Sequence, residues 1–306
     1  MLRLFILIYQ IIKLLQLLKS HSIMIKIPLL NTTSKNLVVI TLFLVILAFT
    51  IKAFAGHRQV GNSVTDPNMQ VMHWTVDGVD REAIVYIPPS AKTAATPVIF
   101  AFHGFGSSMQ IMYKSHRFDE FWPEAIVVWP QGLDIPGGRI STEAKPGWQL
   151  RAGTSNDRDL HFFDTMLKSM QENYKVDDKR IYATGHSNGA GFTLLLWETR
   201  GDILAAVVPS AAPNFNIVKS LQPKPDMQIT GETDQVVNPE KQLEMFNTVL
   251  KINSCNTVGQ NYGGAAMYYS SASGNPTVLY KHPGGHVYPK DAIPVVIRFF
   301  KSNMKK

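Results

Sequence analysis

The chain holds one cysteine, Cys255, in 306 residues. A single thiol excludes an internal disulfide framework and any cysteine-based zinc site. Charge is also sparse: 17% of the residues are charged against 45% apolar, a balance that excludes a disordered chain and supplies enough apolar surface for a sizeable core. Acidic residues are absent from positions 1–55, where six basic side chains stand (Arg3, Lys13, Lys19, Lys26, Lys35 and Lys52). The other 251 residues carry 24 basic against 23 acidic side chains, so the formal charge of +7 sits at one end. A nearly neutral body offers no stripe that tracks a phosphate backbone, and no nucleic-acid partner is expected. The body also lacks internal repeats, low-complexity tracts and a linker that would split it.

Two apolar runs open the sequence, Leu2 to Leu18 and Leu37 to Ile51. The first is interrupted by Gln10, Lys13 and Gln16. The second follows Lys26 and Lys35 and ends before Ala53-Phe54-Ala55, a small-x-small cleavage pattern behind an h-region of about 15 residues. Residues 1–55 are therefore read as a targeting region, a signal peptide starting at Met24. The alternative is an uncleaved anchor, for which the run is short against the roughly 20 residues of a membrane span. Both readings place the body, residues 56–306, outside the cytoplasm as one domain: secreted or periplasmic, or tethered through the N-terminal segment, its only expected membrane contact.

Within the body, short β-branched runs alternate with helical patterns, the signature of a mostly parallel central sheet with helices on both faces. Strands are expected at 83–87, 98–102, 126–129, 180–183, 205–208, 227–230 and 278–280. Helices are expected at 159–174, 190–199, 239–250 and 292–300; the first carries an apolar stripe of Leu160, Phe163, Met166, Leu167 and Met170. Residues 56–71 read as a polar lead-in. Residues 132–156 read as a long surface loop, a feature that in a compact domain is more often functional than accidental.

The sharpest motif is Gly185-His186-Ser187-Asn188-Gly189. It fits G-x-S-x-G between an expected strand and an expected helix, the setting of a nucleophile elbow whose tight turn requires small flanking residues. A serine nucleophile needs a base, and the base needs an orienting acid. Asp234 follows the strand at 227–230, whereas Asp226 lies at its wrong end and Glu232 is the second choice. Of nine histidines, His286 follows the last strand on a flexible Gly284-Gly285 loop, whereas His282 merely extends that strand. The order Ser, Asp, His is that of the α/β-hydrolase fold. Two backbone amides are expected to hold the oxyanion: Asn188, next to the nucleophile, and Phe105 in His103-Gly104-Phe105-Gly106, after an early strand. Trp148 and Tyr288 are candidate substrate platforms at the mouth of the site, with loop packing as the alternative for Trp148.

These residues carry a family resemblance. His103-Gly104, Trp129-Pro130-Gln131-Gly132, Asp159 with Phe162, Asp177 with the run Arg180 to Gly189, Asp234 and Gly284-Gly285-His286 resemble the secreted poly(3-hydroxybutyrate) depolymerase and feruloyl/acetylxylan esterase-like α/β-hydrolases. The resemblance spans about residue 77 to the carboxyl terminus, and its stretch from Asp177 to Gly189 is the most specific part. It implies a serine carboxylic ester hydrolase with nucleophile Ser187, acid Asp234 and base His286. The family often has tryptophan where this chain has Tyr288, and often pairs a cysteine near Cys255 with one absent here.

The expected substrate is an ester of a small hydroxyacid, a phenolic acid or a sugar, and neither metal nor organic cofactor is expected. Because the base must be neutral, activity is expected to rise with pH through about 6 to 7, the range of a free histidine. Competing readings are an inactive hydrolase fold that serves as a surface binding module and a serine exopeptidase. A lipase would want a long apolar lid, and the loop at 132–156 is too polar for one.

Overall fold

The computed structural model describes residues 66–137 and 141–305. The targeting region expected at 1–55, and the start of the expected lead-in, lie outside the described residues. The amino-terminal part comprises β1 (Met69–Val76), β2 (Val79–Tyr86), β3 (Thr96–Phe102), α1 (Met109–Ser115), α2 (Phe118–Phe121) and β4 (Ile126–Pro130). A small hairpin, β5 (Leu133–Ile135) and β6 (Lys145–Gly147), precedes α3 (Arg158–Asn173), β7 (Val176–His186) and α4 (Asn188–Arg200). The chain closes with β8 (Ala206–Ser210), β9 (Asp226–Gly231), α5 (Pro239–Ile252), β10 (Gln260–Asn261), β11 (Ala266–Tyr269), β12 (Thr277–His282) and α6 (Ile293–Lys301).

One ten-stranded sheet has the order β1-β2-β4-β3-β7-β8-β9-β12-β11-β10. Its six central strands, from β4 to β12, pair in parallel, while β1, β2, β10 and β11 join antiparallel at the edges. Parallel strands need both faces covered, so their sequences run apolar without alternation. β3 shows this: all seven residues of Thr-Pro-Val-Ile-Phe-Ala-Phe are buried. Val98, Phe100 and Phe102 join one layer of the core with Phe163 of α3 and Phe192 of α4. Ile99 and Ala101 point the other way, into a layer with Met112 of α1 and Val296 of α6. α4, enclosed on all sides, is buried continuously from Gly189 to Trp197.

Three parts differ from the sequence expectation. The lead-in ends in edge strand β1, whose half-exposed residues blur any apolar run. α1 forms at the edge where the site lies, its start capped by Ser108 Oγ, which accepts from Ile111 N. The long loop is shorter than expected, because β5 and β6 pair within it. What ties that loop down is a buried ion pair. Arg81 Nη2 lies 2.9 Å from Asp159 Oδ1, and their side chains are 1% and 0% exposed. Asp159 Oδ2 accepts from Gln149 N at 2.9 Å, Gln149 Oε1 accepts from Asp159 N, and the Arg81 guanidinium lies over the Phe162 ring at 4.1 Å. A charge pair so deep is tolerated only with several such partners, although Arg81 Nε is left without one.

Candidate active site

All six parallel strands end at one edge of the sheet, the position at which open α/β sheets bind ligands. Ser187 follows β7 there, Asp234 follows β9, His286 follows β12, and the turn from His103 to Gly106 follows β3. Ser187 has φ 55° and ψ −117°, a strained backbone that lifts its side chain out of the turn between β7 and α4. The glycines on either side are sterically required. A Cβ on Gly185 would lie 2.4 Å from Gly189 O, and one on Gly189 would lie 2.3 Å from Phe102 O.

Asp234 is 5% exposed and fully engaged. Its Oδ1 accepts from Val236 N and Val237 N, each at 2.8 Å. Its Oδ2 accepts from Gln242 Nε2 at 2.9 Å and from His286 Nδ1 at 2.8 Å. Burial alone would raise this carboxyl, but the Val237 amide, His286 and the Val236 amide outweigh it and hold the group below the ordinary carboxylate value. An ionised carboxylate at Nδ1 fixes the proton there and leaves the His286 Nε2 lone pair free to accept. Ser187 and His286 line the same cavity.

The neighbouring histidines lack such a partner. Burial lowers His186 to about 3, helped by the adjacent His286, whose ring lies 4.7 Å away. Burial also lowers His103 to about 4, and pushes His116 and His282 down. His103 Nε2 accepts from Gly132 N at 3.0 Å while its Nδ1 faces Gly104 O at 2.8 Å, so a neutral ring clamps the turn that carries Phe105. The second-choice acid, Glu232, pairs instead with Lys281 at 2.8 Å on the surface. Asp226 is wholly buried at the opposite end of its strand.

Phe105 and Asn188 flank Ser187 along the walls of a second cavity. Among the described residues neither backbone N–H has a protein acceptor, and that of Asn188 opens α4, where helix amides are unpaired by geometry. The Asn188 side chain is committed elsewhere: Oδ1 accepts from Trp148 N at 2.7 Å and Nδ2 donates to Trp148 O at 3.0 Å.

Trp148 and Tyr288, expected at the mouth of the site, are core residues. Trp148 is 0% exposed; it stacks on Phe192 at 5.4 Å and donates Nε1–H to His103 O at 2.9 Å, so it packs the loop against the turn that carries Phe105. Tyr288, 6% exposed, has its hydroxyl 3.0 Å from Thr184 Oγ1 and its ring against His116. Proximity in sequence to His286 gave no information on which way that ring turns. Conversely, Gln242 went unnoticed, although it stands on one stripe of α5 with the buried Met245, Phe246 and Val249. A polar residue on an apolar stripe is the signal that finds it.

Cys255 is a free thiol whose Sγ contacts Thr277 Oγ1 at 3.4 Å, remote in sequence from every site residue. Among the described residues no three His, Cys, Asp or Glu side chains converge as metal ligands, and no helix is long and apolar enough to cross a membrane.

Comparison with known proteins gives a consistent picture. The chain is 24% identical over 272 residues to feruloyl esterase D of Neurospora crassa, covering 81% of this chain and 89% of that one. It is 25% identical over 293 residues to poly(3-hydroxyalkanoate) depolymerase C of Paucimonas lemoignei (81% and 65%). It is 27% identical over 172 residues to a bifunctional acetylxylan esterase/xylanase of Neocallimastix patriciarum (55% and 23%), so it spans under a quarter of that relative. Acetyl xylan esterase from Aspergillus awamori shares the fold with TM-score 0.55 at 12% identity, over 74% of this chain and 99% of that structure. A ferulic acid esterase from Anaeromyces mucronatus does so with TM-score 0.53 at 16% identity (80% and 94%). No family model matches the sequence. Fold, strand order and these relatives agree: the chain has the α/β-hydrolase fold and is similar to carboxylic ester hydrolases, among them feruloyl esterases, an acetylxylan esterase and a poly(3-hydroxyalkanoate) depolymerase.

Proposed function

We propose that this protein hydrolyses carboxylic esters through an acyl-enzyme on Ser187, with His286 as general base and Asp234 as its orienting acid. The observation that supports this most is the 2.8 Å pairing of His286 Nδ1 with the buried, four-fold hydrogen-bonded carboxylate of Asp234, beside a serine held at positive φ. His286 Nε2 takes the hydroxyl proton as Ser187 Oγ attacks the ester carbonyl. The amides of Phe105 and Asn188 receive the oxyanion, and Asp234 stabilises the imidazolium without taking its proton. The intermediate collapses by breaking the bond to the alcohol oxygen, which leaves with the His286 proton. Water then repeats the sequence on the acyl-enzyme.

The substrate class is an ester of a phenolic acid, a small hydroxyacid or an acetylated sugar, in line with what the relatives' names state for those proteins. A secreted or periplasmic location fits the sequence of residues 1–55. The test is hydrolysis of 4-nitrophenyl acetate and butyrate, methyl ferulate, acetylated xylan and 3-hydroxybutyrate oligomers by the full chain and its Ser187→Ala variant. Turnover that drops by about a thousandfold or more in the variant is expected, as loss of a triad member costs; equal inertness of the two proteins overturns the proposal.

A further inference from the structure

A polar cavity of about 340 Å³ lies at the edge of the sheet opposite Ser187. Its walls are Leu204 and Ala205 before β8, Lys224 and Pro225 before β9, Asn275 before β12, and the tail Ser302–Lys305 after α6. At roughly 30 Å³ for each water of liquid it has room for about eleven. Two lysines line it, and among the described residues no acidic side chain does. Lys224 is 9% exposed, a depth at which a lysine ordinarily has a carboxylate partner. Here its Nζ donates only to the Leu204 carbonyl. Lys305 Nζ likewise donates to a carbonyl, that of Asp202, at 2.9 Å. An ammonium carries three N–H groups, so among the described residues each lysine keeps two without a protein acceptor.

Both lysines are fixed through their backbones. Lys224 N donates to Asn253 Oδ1 at 2.9 Å, and Asn253 Nδ2, on a wholly buried side chain, donates back to Lys224 O at 2.7 Å. Lys305 N donates to Lys179 O at 2.9 Å, and the Tyr182 hydroxyl donates to Asn303 O at 2.9 Å, so the tail is tied to β7. Two cations held beside one cavity are unfavourable while it contains no negative charge. The effect shows at Lys224, which burial chiefly, and the Lys305 charge after it, lower to about 8 against a smaller opposing effect of Asp202. What reverses both effects is a negative charge with oxygen acceptors for the unused N–H groups. We propose that this cavity binds a compact dianionic oxyanion, a phosphate group or a short dicarboxylate, between Lys224 and Lys305. One negative charge then meets each ammonium, and the bound anion fastens the leads into β8, β9 and β12 to the tail that follows α6. The site is separate from the Ser187 edge, and the proposal does not depend on the ester-hydrolase reading.

The test is titration of the full chain with inorganic phosphate, malonate and acetate at neutral pH, with ionic strength held constant by chloride. Calorimetry gives one phosphate per chain, malonate in its place with similar strength, and acetate, a monoanion, about tenfold weaker or more. Tm rises with phosphate and then levels as the site fills. The general stabilisation of folded proteins by phosphate does not level in that way, and it persists in every variant. Lys224→Met keeps the buried stem and removes the ammonium, while Lys305→Met does the same at a half-buried position where folding is not at stake. Each weakens phosphate by about tenfold or more, the loss expected of hydrogen bonds to a charged group. Lys168→Met, on an exposed lysine of α3 that pairs with Glu172, removes the same net charge and leaves binding unchanged. Phosphate that never saturates the wild-type chain, or saturable binding that Lys305→Met leaves at full strength, overturns the site. Acetate binding as tightly as phosphate overturns the assignment of a dianion.

Discussion

Replacing Gln242 with methionine removes the Nε2–H that donates to Asp234 Oδ2, the oxygen that also accepts from His286. Methionine nearly preserves the volume, so packing on α5 is retained. The change loses a hydrogen bond to a charged group, about 1.5–3 kcal/mol, and one to the Val237 carbonyl, about 1 kcal/mol. It also deletes Oε1, which is buried without a partner and whose removal returns about 1–3 kcal/mol. The net destabilisation is thus about 1–2 kcal/mol, small enough for the variant to fold. The effect on chemistry is separable. With one donor fewer, the Asp234 carboxylate carries more unshared negative charge and stabilises the His286 imidazolium more. The acid limb of kcat/KM against pH, measured on a soluble ester, therefore moves up, while looser placement of the ring lowers the plateau by up to about tenfold. A limb that stays in place or moves down, with a fall in rate uniform across pH, would refute this: uniform loss marks only less folded protein.

Asp226 gives a second pH signature, in stability. Burial raises its carboxyl to about 8 despite the hydrogen bond from Gln228, whereas the unfolded chain ionises it near 3.9. Between those values the folded state holds a proton that the unfolded state lacks, so this group makes stability fall by about 1.4 kcal/mol per pH unit as pH rises through that window. Asp226→Asn abolishes that slope, and its Tm advantage over wild type grows from pH 5 to pH 8; a gap constant with pH contradicts the assignment. Asp159→Ala strands the Arg81 guanidinium, 1% exposed, without its carboxylate. A loss of about 3–5 kcal/mol follows, read as a Tm drop of roughly 10 °C or more in a domain of this size. The double variant Arg81→Met/Asp159→Leu loses less; a larger loss than the single change would refute the account of the pair.

How legible all this is in the sequence depends on burial. β3, β4 and β8 announce themselves because a strand covered on both faces runs apolar, while β7, β9 and β12 show only short apolar stretches among polar residues such as Lys179, Gln228 and Lys281. The edges do not: β1 shows only the partial alternation of Met72, Trp74 and Val76, and β10 and β11 are too short to stand out. The placement of Ser187, Asp234 and His286 just past the ends of β7, β9 and β12 is readable because the fold's chain order puts strand ends together, and the spacing of each from its strand is a local matter. Side-chain direction is not local. Trp148 and Tyr288 turn inward because Phe192 and His116 wait there, on elements about 40 and 170 residues away. α1, with Met109 and Met112 one turn apart, is the smallest helical stripe a seven-residue helix can show, and it carries a wall of the cavity that Ser187 and His286 line.

The central claim, that Ser187 is the nucleophile activated by His286, is tested most directly by labelling the full chain with a fluorophosphonate and mapping the modified peptide by mass spectrometry. The account predicts one adduct per chain, on Ser187, with labelling slowed by about a thousandfold or more in His286→Ala. An adduct on any other residue, or labelling of Ser187 at the same rate without His286, would contradict it.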